Sequence, residues 1–177
     1  MADVSRPATL AALLLSLTAC GSGSSDQFAP ECPRPAILAD AGTLHRYRGS
    51  GRDFLDVVLE GQIDRIQGSC TADGPRAVAV TVSVEIELTR GPAATGRAAV
   101  VPFFVAVTEG DRVLDKQVYV ARAVFPENTD RVRLTGDNVD LSLPVSPTKK
   151  ASAYQVTVGF QLTPAELETN RRLSARR

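Results

Sequence analysis

Tryptophan is absent from this 177-residue chain, histidine occurs once, and the remaining aromatics are six phenylalanines and three tyrosines. Platforms that stack nucleic-acid bases need aromatic faces, and sugar-binding modules lean on them too, so both classes are disfavoured. An excess of charge of one sign is also missing, since 20 basic residues balance 20 acidic ones. A neutral chain lacks the field that draws proteins to phosphate backbones, and no nucleic-acid partner is expected. His45 is the sole candidate base for a Ser-His-Asp or Cys-His arrangement, and it stands beside Arg46 and Arg48 in TLHRYRG. The chain has no G-x-S-x-G, no C-x-x-C, no phosphate-cradling glycine loop and no dinucleotide fingerprint. His45 therefore reads as a surface or edge-strand residue.

Carboxylates do occur in pairs: Asp53 with Asp56, Glu127 with Asp130, and Asp137 with Asp140. Two acids can serve a glycosidase, and several can hold calcium, because both chemistries need convergent oxygens. None of these pairs follows the EF-hand loop, and acids at strand ends are ordinary turn-formers. No catalytic residue, no metal site and no cofactor is expected from the sequence.

Long hydrophobic runs are missing as well. The run LAALLLSL, residues 10–17, is eight residues long, whereas a membrane-spanning helix needs about 20. Its length suits the h-region of a secretory signal. Leu17, Thr18, Ala19 and Cys20 follow: a branched apolar residue, two small residues, then a cysteine. These residues resemble the lipobox of bacterial lipoprotein precursors. The resemblance implies a signal peptide over residues 1–19, cleavage between Ala19 and Cys20, and diacylglycerol on the Cys20 thiol. Cleavage removes Asp3 and Arg6, leaving 19 charges of each sign. Two or more acyl chains anchor a protein stably where one binds reversibly. Gly21, rather than aspartate, follows the cysteine, which by the same resemblance implies the outer membrane, facing the periplasm.

GSGSSDQFAPECPRP then reads as a linker, so that residues 20–35 form a lipid-anchored spacer, flexible first and stiffened by prolines later. Twelve residues separate Cys20 from Cys32, enough for a stand-off of about 20 Å. With Cys20 acylated, Cys32 and Cys70 remain as an even pair in an oxidising compartment, and a disulfide is the simple reading.

The rest of the chain speaks in period two. In AVAVTVSVEIELTR, Val78, Val80, Val82, Val84, Ile86 and Leu88 recur at every second position, the mark of a strand with one buried face. The same alternation returns in AYQVTVGFQL and NVDLSLPV. Two apolar runs flank TEGDR between residues 103 and 125, which predicts a hairpin turning at Gly110. Apolar residues on both parities of that hairpin suggest a central position in its sheet. A further strand is expected over residues 54–65, with Gly61 a candidate bulge, and shorter ones over 36–38, 44–47 and 131–135.

Seven to nine such strands predict an all-β fold, an antiparallel β-sandwich over residues 36–162, immunoglobulin-like or fibronectin-III-like by strand count, with a barrel as the alternative. Thr163, Pro164 and Glu166 form a capping-box signature, so residues 163–177 are read as a short, weakly packed helix and a basic tail. The stretch YQVTVGFQLTPAELETNRR also resembles the end of small predicted alphaproteobacterial lipoproteins, which implies no activity. Two readings of function follow. The first is a non-enzymatic envelope lipoprotein that binds a protein partner or supports assembly of an envelope complex. The second is a periplasm-facing enzyme or small-ligand binder with a pocket at one end of the sandwich.

Overall fold

The computed structural model describes residues 32–175. The signal peptide, Cys20 and residues 20–31 of the expected linker lie outside the described residues, as do the last two residues of the tail. Nine strands build two sheets: β1 (Pro35–Ile37), β2 (Thr43–Tyr47), β3 (Val57–Ala72), β4 (Ala77–Arg90), β5 (Ala98–Glu109), β6 (Arg112–Val124), β7 (Arg131–Thr135), β8 (Val139–Pro144) and β9 (Gln155–Phe160). One sheet runs β1-β9-β5-β6. The other runs β2-β3-β4-β7, with β8 also pairing β4. The protein is an all-β, two-sheet sandwich with one short C-terminal helix. Immunoglobulin domains order their sheets A-B-E-D and C-F-G; here the strand order is the chain's own, with β1 running parallel to β9.

Alternation decides which side chains meet. Val80, Val82, Val84, Ile86 and Leu88 of β4 are buried against Val101, Phe103, Val105 and Val107 of β5 and Val156, Val158 and Phe160 of β9 within one core cluster. Leu59 and Ile63 of β3 and Val139, Leu141 and Leu143 of β8 complete that layer. Tyr154 belongs to it too, and its hydroxyl donates to the Pro144 carbonyl at 2.6 Å, so the polar tip of a buried ring is satisfied.

Three local expectations are corrected. Residues 54–56 open no strand: Phe54–Asp56 form a 3-10 turn, because Asp53 and Asp56 satisfy each other's backbone in a capping box. Gly61 is not a bulge, since the β2–β3 and β3–β4 pairings run regularly through it, and the register shifts instead between Ile63 and Arg65. A Cβ at Gly61 would stand 3.0 Å from Leu88 and 3.2 Å from Phe160, so close packing explains the glycine. The folded body also starts earlier than residue 36: Cys32 and Pro33 are buried and Pro35 already pairs with Val156.

The helix, α1 (Pro164–Ser174), carries the expected cap, with Thr163 Oγ1 accepting from the Glu166 amide and Glu166 Oε2 accepting from the Thr163 amide. It does not pack weakly. Asn170, 3% exposed, donates through Nδ2 to the carbonyls of Asp40 and Thr43 at 2.9 and 2.8 Å. Arg171 pairs with Asp40, and Glu166 with Arg46, around that bond. The helix is fastened by polar bonds where its apolar face is thin. Asn170→Ala leaves those two carbonyls without their donor, and should lower stability by about 1–3 kcal/mol in urea titration; an unchanged midpoint would show that α1 is held otherwise.

Cys32 and Cys70 form a disulfide with Cα atoms 6.4 Å apart, at a sequence separation of 38. It ties the first described residue to β3. Closing a loop of that length stabilises by about 4 kcal/mol in the chain-entropy model. The double change Cys32→Ser with Cys70→Ser should therefore cost about 4 kcal/mol in equilibrium unfolding, and a loss below about 1 kcal/mol would mean that other contacts hold this end closed.

Candidate interaction surface

β5 and β6 form the expected hairpin, closed at Gly110, whose φ of 55° suits glycine. Their places in the sheet differ. β5 lies between β9 and β6, whereas among the described residues β6 has only β5 beside it and is the sheet's edge. The central position inferred for the hairpin holds for one arm alone. The charges on Arg112, Asp115, Lys116 and Arg122 of β6, against the single Glu109 on β5, are the signal that separates the two.

Since Val101, Phe103, Val105 and Val107 face the core, the other parity of β5 faces away from it. Register carries that face onto β6: Phe104 stands opposite Val118, Pro102 opposite Val120, Val100 opposite Arg122 and Ala106 opposite Lys116. Part of this outer face is covered. Ala41 and Leu162 pack on Phe104 and Ala106, and the Lys116 ammonium lies 4.4 Å from the centre of the Phe104 ring. A Cβ at Gly159 would lie 2.8 Å from the Ala41 Cβ, which the glycine avoids. The remainder is open: Val100 is 49% exposed, Val118 52%, Val120 48% and Val124 71%. Among the described residues, the outward positions of β5, β6 and β9 bear two cations, Lys116 and Arg122, and no carboxylate.

The inner side of β6 is polar and ordered. Gln117 Nε2 donates to Asp115 at 2.9 Å, and the Tyr119 hydroxyl donates to Gln117 Oε1 at 2.9 Å. The Tyr119 ring stacks on Phe103 with centroids 5.6 Å apart. A cleft of about 390 Å³ opens between this side of β6 and β8, lined in part by Leu114, Gln117, Leu141 and Leu143. Burial, then the charges of Asp115 and Asp140, push the Tyr119 phenol above the ordinary tyrosine value.

The residues singled out from the sequence are dispersed. His45 pairs across β2–β3 with Glu60, its Nδ1 lying 3.4 Å from a carboxylate oxygen. The cleft beside it also holds Gln62, Glu87 and Arg131, and Glu87 is already bound by Arg131 and Arg133. Each acidic pair has a local occupation. Asp53 and Asp56 cap the 3-10 turn, Glu127 binds Arg97, Asp130 binds Arg90, and Asp140 accepts from Thr81. Among the described residues, no group of three or more His, Cys, Asp or Glu side chains is placed to hold a metal ion. A second hollow of about 400 Å³ lies against the disulfide, between Cys32, Cys70, Val78, Val145 and Ala151. No helix among the described residues is long and apolar enough to cross a membrane.

No protein-family model, curated protein or solved structure matches the chain. The geometry is accordingly the guide. Its most distinctive feature is a valine-bearing edge strand above a cleft.

The raised phenol can be checked directly. Tyr119 should titrate above the usual tyrosine midpoint of about 10, as followed by NMR of the ring carbons, and Asp115→Asn should move the midpoint down without restoring it, because burial is the larger cause. Titration at or below the ordinary value would show that the inner side of β6 is wet.

Proposed function

We propose that this chain is a lipid-tethered protein of the bacterial cell envelope, acting as a non-enzymatic binding module. The tether is Cys20 with diacylglycerol on its thiol, exposed as residue one after signal cleavage, and the body is held at the periplasmic face of the outer membrane. Three observations support the reading. The lipobox residues stand directly after an h-region of the right length. The Cys32–Cys70 disulfide suits an oxidising compartment. The observation that carries the binding role is β6, an edge strand whose outward side sets half-exposed Val118 and Val120 between Lys116 and Arg122, with Val124 beyond them.

An edge strand offers unpaired backbone groups to an incoming strand, and an apolar side gives that strand something to pack on. The protein partner binds there. The outward side of β4, with Thr81, Ser83, Glu85 and Glu87, is ordinary polar surface and takes no part.

The test joins radioactive palmitate labelling with photo-cross-linking in native membranes, the photoreactive residue placed at Val120 or, as control, at Glu85. Expected are a labelled protein, loss of label and of membrane association in Cys20→Ala, and a discrete protein adduct from position 120 alone. Normal processing and location of Cys20→Ala would overturn the tether, and equal adducts from both positions would overturn β6 as the site.

A further inference from the structure

We infer that the occupant of the β6 edge is a second copy of this chain, paired antiparallel with β6 about a two-fold axis through Val118. The inference rests on the reading of β6 as a binding edge and names what binds.

Among the described residues β6, thirteen residues long, has a neighbour on one side, so its other side offers a row of backbone donors and acceptors that an incoming strand could take from water. A lipid surface could accept the exposed valines, but acyl chains offer no donors or acceptors to a strand edge. A strand satisfies both needs at once, which favours protein over membrane.

A two-fold axis through Val118 is the midpoint of Arg112–Val124. It sets Lys116 opposite Val120, Asp115 opposite Ala121, Gln117 opposite Tyr119, and Val118 opposite itself. No like charges face each other. Moving the axis to Tyr119 brings Lys116 against Arg122, moving it to Gln117 brings Arg112 against Arg122, and moving it to Lys116 or Asp115 sets a charge against its own copy; an axis at Val120 also avoids such clashes but pairs only residues 116–124 of the strand. Like charges directly opposite are destabilising. The register irregularity of the hairpin, at Leu114, lies outside the seven regular residues 115–121 around the axis. Edge bulges protect strands from pairing, and this one spares the middle of the strand.

In this register Val118 meets its own copy directly across the seam on the outer side, and Val120 of each copy lies diagonal to the other copy's Val118. Cross-strand pairs of β-branched residues are favourable units of sheet stability. The β1-β9-β5-β6 sheet would continue through the axis into its mate, an isologous contact of the commonest oligomeric kind.

The register makes the proposal sharp. Full-length protein in its native membranes would carry a single added cysteine, followed by mild oxidation and non-reducing gels. Val118→Cys should give covalent dimers. Lys116→Cys and Val120→Cys should each give few, yet link to one another when the two variants are co-expressed. Separately, Val118→Lys places two cations on the axis, and should convert the detergent-extracted dimer to monomer in light scattering. Position 118 is half-exposed, so the melting temperature should be unchanged apart from any loss due to dissociation. Absence of the Val118→Cys dimer, equal linking at all three positions, or a wild-type monomer in membranes would overturn the second-copy proposal. A wild-type monomer that nonetheless gives a discrete foreign adduct from position 120 would refute this inference and leave the binding role of β6 standing. Adducts with lipid alone would refute both.

Discussion

A sheet has two faces, and a two-layer sandwich dries only one face of each. That constraint governs this molecule. β4 obeys it simply, with valines on the inner parity and threonine, serine and glutamate on the outer. β5 does not, because apolar residues stand on both of its parities, and β6 carries valines outward over a largely polar inner side. The inner set builds the core with β4 and β9. The outer set is covered by Ala41 and Leu162 over Phe104 and Ala106, and beyond them it runs out of cover. Fully burying a valine is worth about 1.5–3 kcal/mol, so several half-exposed valines on one strand hold a few kcal/mol of association energy in reserve.

Both ends of the described chain are fastened by means other than a large apolar face. At one end the disulfide joins Cys32 to β3; at the other, Asn170 binds two backbone carbonyls and two ion pairs flank it. These fastenings keep β1 and the turn at Ala39–Ala41 in place over β9 and the outer face. Loosening either would widen the uncovered patch rather than merely fray a terminus. Stability and the extent of the exposed apolar patch are therefore coupled through the same few bonds.

Much of this architecture was legible in the sequence, because a period of two leaves a strand little freedom about which side it buries. The long strand at residues 77–90, the Gly110 hairpin, the Thr163 cap and the Cys32–Cys70 pair could all be read from residue types and spacing. What escaped was set by tertiary neighbours. Gly61 looks like a bulge in one dimension, and only the approach of Phe160 from the facing sheet gives it another purpose. Asn170 is one polar residue in a polar helix until its carbonyl partners, about 130 residues away in sequence, are placed. The edge position of β6 was legible in part: its four charged residues, against one on β5, mark it as the outer arm of the hairpin, while the apolar residues on both parities of β5 fit the central place that arm holds. Residues 1–31, where the lipobox resemblance places the proposed tether, lie outside the described residues.

The central claim is that β6 is a covered strand in the working protein. Hydrogen exchange along β6, read by mass spectrometry on the tethered protein in membranes and again after high dilution in detergent, addresses it most directly. The account predicts slow exchange over residues 115–121 in membranes that quickens on dilution, while β4 stays protected in both. Fast exchange of those residues in membranes, as for any open edge, would contradict it.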